Sequence, residues 1–510
     1  MRKTTSDYCR DEFNLLNLTL TKELILGLDI GTSSVRAALY DMRGNLIPQT
    51  LVKNERTLTA TDDGGAEIDA GEALLQILAA VSDVLSLYQD EAAEIAYIAT
   101  SSFWHSLVGV DANANPTTKV FGWADTRSRK YTGNLKRRFD EPTIHNRTGA
   151  RFHSSFWPAK LLWLQKEFPE IFARTSRWLS VSDYVSLKLF GEAATSVSMA
   201  SGTGLFDLRK CSWDAELLKF LKLRPENLPR LAGDDERFRL ISKFAKRWPR
   251  LRNVESFPAI ADGAANNIGA GCVSKSKAAL MIGTSGAMRV AYKGELPAKI
   301  PQGLWCYRID RKRVIIGGAL SDGGGLYHWL KENLRLGKDD DVEHEIEKRD
   351  PVAHGLTVMP FFAGERSTGY HENAVGSILG LRSSTDPIDI VQAVLESIAY
   401  RFGDIFDQLN GVSRIREIIA SGGALRESPV WTQMIADVLG RDMTLPETHE
   451  ASMRGAVLLA LETTGRINKI EDIPTPPGKK FSADKSRKSV YAEARKRHQE
   501  TYKLLIDREK

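Results

Sequence analysis

Residues 24–40 read Leu-Ile-Leu-Gly-Leu-Asp-Ile-Gly-Thr-Ser-Ser-Val-Arg-Ala-Ala-Leu-Tyr. An apolar run ends at Asp29, a turn of small hydroxyl residues follows, and a second apolar run comes next, which predicts strand, tight turn and strand. Gly31, Thr32 and Ser33 offer N–H and hydroxyl donors to an anion. Asp29 would repel a phosphate there unless a divalent cation lay between them. The stretch therefore indicates a site for Mg²⁺ and nucleotide phosphate.

A second copy of this pattern lies about half a chain later. Residues 279–292 read Ala-Leu-Met-Ile-Gly-Thr-Ser-Gly-Ala-Met-Arg-Val-Ala-Tyr, and Gly283 follows Gly31 by 252 positions. A single Gly-Thr-Ser turn is compatible with an ordinary hairpin. Two copies at this spacing predict two similar domains that share a cleft, the second contributing Gly283, Thr284 and Ser285 as its phosphate-binding turn.

Composition and charge are those of an ordinary globular chain. The 510 residues are 42% hydrophobic and 26% charged, and the formal net charge is +5. This length suits about two to four domains. The small net charge gives no reason to invoke nucleic acid as a partner. Because no run of about eighteen apolar residues occurs, no membrane span is expected.

The cysteines and the first residues indicate a cytoplasmic protein. The four cysteines, Cys9, Cys211, Cys272 and Cys306, are scattered and form no C-x-x-C pair. They predict reduced thiols rather than a zinc site or a disulfide framework. Residues 1–21 are mixed polar and charged, and they are expected to form a flexible or loosely docked extension.

Local patterns predict further elements. A third strand is expected near residues 46–51, after a turn. Apolar residues at helical spacing predict a helix over residues 71–88 and a long helix over residues 388–409. Residues 178–190 are apolar enough to form another helix. Strands that alternate with helices favour the α/β class.

Two loops of the first half combine aromatic and polar side chains. Trp104 and His105 follow a short predicted strand, where α/β folds place ligands, although a structural histidine is the commoner alternative. Trp123, Asp125 and Arg127 suit a sugar or polyol, because they offer a ring to pack on, an acceptor and a guanidinium fork. A buried Asp–Arg ion pair is an equal alternative for this second loop.

Asp262 ends an apolar strand and begins a helix-like segment of small residues. A carboxylate at that point can cap the helix, which is the commoner use of aspartate. It can also accept a proton from a substrate hydroxyl that attacks a γ-phosphate. Further along, Gly422 and Gly423 separate a predicted strand from a helix, which is a turn compatible with a nucleotide.

With these residues placed, the chain resembles the FGGY family of carbohydrate kinases, members of the actin-like ATPase superfamily. The most specific strings are Gly-Ser-Ile-Leu-Gly-Leu at 376–381 and Asp-Ile-Val-Gln-Ala-Val-Leu-Glu at 389–396, which match the C-terminal signature of the family. The N-terminal signature is recognisable around Lys160 and Trp163. Trp157 stands where that pattern prefers a small residue or proline.

Within the family, the chain is most similar to kinases of gluconate. The supporting strings are Ser-Ser-Phe-Trp-His-Ser at 101–106, Trp-Ala-Asp-Thr-Arg-Ser at 123–128 and Ile-Gly-Thr-Ser-Gly-Ala-Met-Arg at 282–289. Xylulose kinases share the histidine and a similar Trp–Asp–Arg loop, so a ketopentose or another polyol stays an alternative substrate. An alternative of another class is a catalytically idle homologue that binds a sugar and regulates a partner. Retention of Asp29, Asp262 and both turns argues against it.

The resemblance implies an α/β fold of two ribonuclease-H-like domains with a catalytic cleft between them. The first domain, residues 22–255, would bind the sugar and carry the first phosphate turn. The second, residues 256–510, would bind the nucleotide and carry the catalytic aspartate. Such a protein would be a cytoplasmic phosphotransferase that uses ATP and Mg²⁺ to convert D-gluconate to 6-phosphogluconate. It would have no nucleic-acid or membrane partner, and a homodimer is compatible with it.

The resemblance also implies roles for single residues. Asp262 would be the general base, Asp29 would help to place Mg²⁺, and Gly422 and Gly423 would face the adenosine. The substrate pocket would be formed by Trp104, His105, Asp125, Arg127, Asp262 and Arg366. Arg127 and Arg366 are the candidates for binding a substrate carboxylate.

Two departures from the family pattern bear on the site. Arg36 stands where many members have lysine, which a phosphate-facing cation tolerates. Gly263 follows the catalytic aspartate where several relatives have glutamine or asparagine. One substrate contact is therefore expected to be missing.

Overall fold

Two mixed β-sheets, one in each half of the sequence, organise the molecule. The structure is a computed structural model, and it describes residues 22–56, 58–90, 93–336, 339–447 and 450–507. The extension predicted over residues 1–21 lies outside these described residues.

The first sheet is built on the hairpin of the opening stretch. Its six strands are β1 (Lys22–Ile30), β2 (Ser34–Asp41), β3 (Val52–Glu55), β4 (Ala93–Ser102), β5 (Glu255–Ser256) and β6 (Ile260–Ala261). β1 pairs antiparallel with β2 and parallel with β4, and both β5 and β6 run parallel to β4. The prediction of strand, turn and strand over residues 24–40 is confirmed.

The second sheet repeats this order. Its seven strands are β7 (Lys277–Ile282), β8 (Gly286–Lys293), β9 (Trp305–Arg308), β10 (Arg313–Leu320), β11 (Glu417–Ser421), β12 (Met443–Pro446) and β13 (Gly478–Phe481). β7 pairs antiparallel with β8 and parallel with β11, which runs parallel to β12. The order β10-β8-β7-β11-β12 matches the order β3-β2-β1-β4-β5 of the first sheet. The prediction of two similar α/β halves is confirmed.

Helices and short strands complete the fold. The helices next to the site and the longest helices are α1 (Ala70–Leu87), α2 (Trp157–Glu167), α3 (Asp262–Gly269), α4 (Pro387–Val412), α5 (Ala451–Thr463) and α6 (Lys488–Leu505). The other α-helices are Thr132–Arg138, Glu141–Thr148, Pro169–Arg174, Val181–Phe190, Val197–Ser201, Ala215–Phe220, Ser242–Arg247, Gly324–Asn333, Asp339–Lys348, Gly423–Glu427 and Pro429–Leu439. The short strands are Thr59–Ala60, Ala66–Ile68, Val108–Val110, Val120–Phe121, Arg177–Leu179, Ala194–Thr195, Phe206–Asp207, Ser212–Trp213, Arg230–Leu231, Thr357–Met359 and Ser377–Leu379.

Helix α1 shows how capping and burial define an element. The Asp69 carboxylate accepts hydrogen bonds from the N–H groups of Gly71 and Glu72 at 2.9 and 3.1 Å, so the first-turn donors are satisfied and the helix begins there. Ile77 and Val81 recur at helical spacing and are buried in the same apolar cluster as the first sheet. Each such side chain contributes about 1.5–3 kcal/mol on burial.

Helices α3 and α5 pack with their backbones in contact. A Cβ atom on Gly455 would lie 1.8 Å from the carbonyl oxygen of Ala265, and one on Gly269 would lie 1.9 Å from that of Ala451. Glycine is required at both positions because no side chain fits. Helix α5 also packs on β1 and β4. Helix α5, from the second half of the chain, therefore holds helix α3, which begins at Asp262.

Two local predictions are wrong in detail. The third strand is Val52–Glu55 rather than residues 46–51. That segment contains Pro48, which has no N–H to donate to a sheet, and it contributes only an isolated bridge between Leu46 and Tyr40. Residues 178–190 divide into a strand and a helix, because the Ser180 side chain caps the helix that starts after it.

Strands β5 and β6 belong to the first sheet, although the boundary predicted at residue 256 assigns most of this segment to the second half. β6 pairs with Ser101 and Ser102 of β4. The strand that leads to Asp262 is therefore held by the first sheet. A two-residue strand carries too little pattern to show which sheet it joins.

Candidate active site

The turn after β1 leaves its hydrogen-bond donors free. The Gly31 N–H donates to the Ser34 carbonyl over 3.0 Å and closes the turn. Within the described part of the chain, the N–H and hydroxyl groups of Thr32 and Ser33 have no acceptor. Adjacent free donors of this kind form a concavity that binds anions.

The turn after β7 has the same form. The Gly283 N–H donates to the Ser285 carbonyl over 2.9 Å, and the donors of Thr284 and Ser285 are likewise without an acceptor among the described residues. The N–H groups of Gly324 and Gly325 donate to the carbonyls of Gly283 and Thr284 over 2.8 and 3.0 Å. These bonds hold the second turn from outside and leave its own donors available.

Asp29 is the acid beside the first turn. The pairing of β1 with β4 places it next to Ser101, whose hydroxyl donates to its carboxylate. The Nη1 atom of Arg36 lies 3.9 Å from this carboxylate and 2.9 Å from that of Glu450. Burial raises the pKa of Asp29 to about 6, although the hydrogen bond from Ser101 and the positive charge of Arg36 both act to lower it. A cation bound here would favour the ionised form.

Asp262 lies at the same edge of the first sheet. Because β6 pairs with Ser101, Asp29 and Asp262 flank strand β4, and their charges interact. Burial raises the pKa of Asp262, while the guanidinium of Arg289 and the N–H of Gly263 stabilise its carboxylate. The Gly263 N–H donates to the Asp262 carboxylate over 2.7 Å. Asp262 is the first residue of α3, where its negative charge suits the N-terminal end of the helix, and it also faces the cavity described next.

A cavity of about 110 Å³ receives side chains from both halves. The predicted site residues that line it are Trp104, His105, Asp262, Ser285 and Arg366. A larger cavity of about 700 Å³ is lined by none of the predicted site residues. Size alone does not identify the site. The smaller cavity combines an acid, a phosphate turn and aromatic walls, and it is the candidate active site.

His105 presents a hydrogen-bond acceptor to this cavity. Its Nδ1 lies 2.5 Å from the Gly202 carbonyl, which can only accept, so Nδ1 carries the proton. Burial lowers the pKa of His105 to about 3, and the ring is neutral at pH 7 with a lone pair on Nε2. The backbone of His105 has φ 68°, a conformation that non-glycine residues adopt only when their surroundings hold them.

Two guanidinium groups line the cavity without a carboxylate partner. Arg366 lies 4.6 Å from the ring centroid of Trp123, and its Nε has no hydrogen-bond partner in the described part of the chain. Arg289 is buried and contacts Asn266 at 3.4 Å. Among the described residues, no carboxylate oxygen lies within 4.0 Å of either group. Burial lowers the pKa of Arg366 to about 10. With two cations against Asp262, the cavity favours an anionic ligand.

Asp125 and Arg127, which the sequence predicts as substrate contacts, lie outside the cavity. Asp125 is 1% exposed and accepts hydrogen bonds from Arg127 and from the N–H of Ala66. Arg127 also pairs with Glu67 at 2.6 Å. This geometry is the buried ion pair that the sequence left as an alternative. Of the three residues predicted in this loop, Trp123 is the one that lines the cavity.

Gly422 and Gly423 lie beside the second turn. β11 pairs with β7 and joins Ser421 to Met281, so the chain turns at Gly422 next to Ile282. Gly422 has φ 102°, and a Cβ atom there would lie 2.1 Å from the Ile282 carbonyl oxygen. Only glycine permits this approach, which brings two predicted nucleotide-binding segments side by side.

Steric crowding explains why glycine follows Asp262 at position 263. A Cβ atom on Gly263 would lie 2.5 Å from the ring of Trp104 and 3.2 Å from Nε of Arg289. The Trp104 ring is held by a 3.0 Å hydrogen bond from its Nε1 to the Ser198 carbonyl. Trp104 and Arg289 therefore occupy the space that a glutamine or asparagine side chain would need.

Sequence reasoning missed several cavity residues, among them His153, Arg289, Tyr307 and Tyr370. His153 lies 3.7 Å from Glu372, and burial lowers its pKa to about 4. His153 and Tyr370 lie on loops far apart in sequence, and nothing local marks them. Arg289 could be singled out from the sequence alone. It is the one charged residue in strand β8 apart from the residue that ends the strand.

The described residues include no group of three or more His, Cys, Asp or Glu side chains that could hold a metal ion. Mg²⁺ usually keeps several waters and binds one or two carboxylates together with phosphate oxygens. Asp29, with its raised pKa and its place beside a turn of free donors, fits such an ion.

Comparison with known proteins agrees with this geometry. The N-terminal domain of the FGGY family of carbohydrate kinases matches residues 24–264, and the C-terminal domain matches residues 278–463. The chain is 29% identical over 462 residues to gluconokinase of Bacillus licheniformis. This alignment covers 88% of this chain and 89% of that protein. It is 28% identical over 460 residues to xylulose kinase of Lactococcus lactis, with coverages of 88% and 89%. The crystal structure of gluconate kinase from Lactobacillus acidophilus superimposes with a TM-score of 0.88 at 25% identity, covering 95% of this chain and 98% of that one.

Proposed function

Because the chain belongs to the FGGY family of carbohydrate kinases, we propose that it transfers the γ-phosphoryl group of ATP to the terminal hydroxyl of a sugar acid, D-gluconate. The family relation makes it a phosphotransferase that acts on an alcohol group. Relatives named gluconokinase and relatives named xylulose kinase both match at similar identity. The choice of gluconate therefore depends on the chemistry of the cavity.

The observation that carries this choice is that the guanidinium of Arg366 donates to the Leu320 carbonyl over 2.7 Å but has no carboxylate partner among the described residues. A guanidinium in a partly buried cavity gains most from a carboxylate, which it can bind through two parallel hydrogen bonds. Trp123 supports the plane of the group from one side. Gluconate would supply the missing carboxylate, whereas a ketopentose would leave the cation unpaired.

Asp262 is the proposed general base. Its carboxylate would take the proton of the attacking hydroxyl while that oxygen bonds to the γ-phosphorus and the bond from phosphorus to the leaving oxygen of ADP breaks. Burial raises the pKa of Asp262, which makes it a better proton acceptor than a solvated aspartate. The charge of Arg289 favours the ionised form of this carboxylate and opposes the effect of burial.

The two turns are the proposed phosphate sites. The free donors of Thr32 and Ser33 on one side, and of Thr284 and Ser285 on the other, would bind anionic oxygens across the cleft. Mg²⁺, when bound, neutralises charge on the transferring phosphates. Asp29 is the residue that would hold it. The neutral ring of His105 would accept a hydrogen bond from a sugar hydroxyl at Nε2.

We place this activity in the cytoplasm. The three cysteines among the described residues are unpaired, as expected in a reducing compartment. One described helix, α1, is long and apolar enough to cross a membrane by length and composition. Its buried side chains belong to the core of the first sheet, which supports a structural role for this helix.

The test replaces Arg366 by methionine and compares two ligands that differ in charge. With D-gluconate, Arg366→Met should raise KM about 30- to 100-fold, because a charge-assisted hydrogen-bond pair is lost. With the neutral amide of gluconate, KM should change by less than about threefold. Arg382→Met removes an exposed arginine and should leave both values unchanged.

Two results would contradict the proposal. An equal rise in KM for both ligands would show that Arg366 does not bind the carboxylate. A wild-type enzyme that phosphorylates D-xylulose efficiently and gluconate poorly would replace the sugar acid by a ketopentose.

A further inference from the structure

Two residues that line the cavity direct their backbone carbonyls to one buried ammonium group. Nζ of Lys160 donates to the Ser155 carbonyl over 2.6 Å and to the His105 carbonyl over 3.3 Å. Lys160 is fully buried. Among the described residues, no carboxylate oxygen lies within 4.0 Å of Nζ. Asp125 acts on the ammonium from a longer distance.

Helix α2, which carries Lys160, supports the same loops at other points. Nε1 of Trp157 donates to the Ser106 carbonyl over 2.9 Å, immediately after His105. The Ser155 hydroxyl donates to the Trp123 carbonyl over 2.8 Å. The start of α2 and the residues before it therefore join the two loops that carry aromatic and imidazole groups into the cavity.

Burying an ammonium group costs free energy, so its presence in the interior requires an explanation. Burial lowers the pKa of Lys160 to about 7, which reflects the cost of keeping a charge in the interior. A methionine would fill a similar volume without that cost. The backbone of His105 is in the left-handed region, and such a conformation persists only where neighbouring groups hold it. Lys160 holds the carbonyl of His105, and the Gly202 carbonyl holds its ring.

We propose that Lys160 is a positioning residue of the sugar site: it bonds the carbonyls of His105 and Ser155 and thereby fixes the imidazole that faces the substrate. The inference rests on the proposed function in one respect, which is that a sugar fills the cavity. It also gives a role to Asp125 and Arg127 outside the cavity. The charge of Asp125 favours the Lys160 ammonium, and Arg127 opposes it but holds Asp125 in place.

The experiment is a double-mutant cycle between Lys160 and His105. The sugar is whichever of D-gluconate, D-xylulose and glycerol the wild-type enzyme turns over fastest. Lys160→Met should raise KM for that sugar about tenfold, which corresponds to about 1.4 kcal/mol. The dissociation constant for ATP should stay within about twofold, because the phosphate turns do not contact Lys160. In a His105→Ala background, the same substitution should raise KM by less than about twofold, because the group that it positions is absent.

Two further variants keep the test decisive. Lys166→Met removes an exposed lysine of the same helix and should leave KM unchanged. Lys160→Gln keeps a donor of similar length and should give a smaller rise in KM than methionine. If Lys160→Met does not fold, judged by circular dichroism, the cycle is measured with glutamine.

The outcomes separate this inference from the proposed function. Additive effects of the two substitutions, or equal losses in sugar KM and ATP binding, would show a merely structural lysine and overturn the inference. Turnover of xylulose or glycerol in place of gluconate would overturn the sugar-acid proposal and leave the cycle measurable. Coupling of the predicted size would support the positioning role whichever sugar is used.

Discussion

The two hairpins share a strand-turn-strand backbone but carry different side chains at a position that bears on the chemistry. Two residues before the turn glycine, the first hairpin has Asp29 and the second has Met281. Each pairs with a serine on the neighbouring parallel strand, Asp29 with Ser101 and Met281 with Ser421. The Ser101 hydroxyl donates to Asp29, whereas the Ser421 hydroxyl is buried and has no partner in the described part of the chain.

The two halves repeat the fold but not the chemistry of the site. The first sheet carries both acids of the site, Asp29 and Asp262, at one edge. The second half contributes the cations of the cavity, Arg289 and Arg366. A carboxylate in place of Met281 would add negative charge beside a turn that we propose to bind phosphate. The first sheet therefore supplies the acids and the second half supplies the cations of the cavity, while both halves offer a turn of free donors to phosphate.

The largest effect is expected at Asp262. Asp262→Asn should lower kcat by at least about 10³-fold, because the amide cannot accept the proton of the attacking hydroxyl. The dissociation constant for ATP should change by less than about twofold, since the phosphate turns stay intact. Steady-state ADP release and equilibrium binding measure the two quantities. A variant that keeps more than a tenth of the wild-type kcat would show that Asp262 is not the base.

The next largest effect is expected at Asp29, and a substitution at the equivalent position, Met281, serves as its control. Asp29→Asn should lower kcat by about 10²-fold and raise the Mg²⁺ concentration required for half-maximal activity. Met281→Leu at the equivalent position should leave both quantities within about twofold of wild type. Initial rates across a Mg²⁺ titration check this. Equal losses in the two variants would remove the distinction between the hairpins.

The same acid should make the ligand-free protein less stable at neutral pH. The pKa of Asp29 is about 6 in the folded protein against 3.8 for an unperturbed carboxyl. Because the folded state binds the proton more tightly, the free energy of unfolding falls as pH rises from about 4 to about 6. At pH 7.5, Asp29→Asn should therefore be more stable than wild type by about 2–3 kcal/mol, and this gain should vanish near pH 4.

Calorimetry without nucleotide or Mg²⁺ checks this dependence, with Met281→Leu as the control that should show no change with pH. A gain in stability that is the same at pH 4.5 and pH 7.5 would contradict a raised pKa for Asp29.

The smallest effects are expected at the two paired serines. Ser101→Ala removes the hydrogen bond to Asp29 and should lower kcat about fivefold, since one such bond contributes about 1 kcal/mol. Ser421→Ala removes a hydroxyl without a partner, so it should leave kcat unchanged and stabilise the protein by up to about 1 kcal/mol. Kinetics and thermal unfolding of both variants test the contrast. A loss of activity in Ser421→Ala as large as that in Ser101→Ala would contradict it.

The sequence predicts those parts of the fold that have a local pattern. Both hairpins, helix α1 and the long helix α4 follow from apolar spacing, turn residues and caps. The prediction of a third strand near residues 46–51 is wrong, because Pro48 has no N–H to donate and prevents pairing where the apolar residues lie. The short strand before Asp262 has too few residues to indicate its sheet.

The sequence marks residues of the candidate site where a turn or a strand end carries them. Asp29, Asp262 and the Gly-Thr-Ser turns have such marks, whereas His153 and Tyr370 come from loops that only tertiary packing brings together. Asp125 and Arg127 carry the residue types of a sugar site and form a buried ion pair instead. Residue type cannot separate these two uses, because both need an acceptor and a guanidinium.

The proposed reaction is tested by measuring ATP-dependent ADP release by the wild-type enzyme with D-gluconate, other sugar acids, ketopentoses, pentitols and glycerol. We expect turnover with D-gluconate and little with the neutral sugars, because Arg366 and Arg289 favour an anionic substrate. Preference for a neutral sugar would contradict the sugar-acid assignment. Absence of turnover with every compound, while ATP still binds, would contradict the kinase reaction itself and favour a sugar-binding regulator.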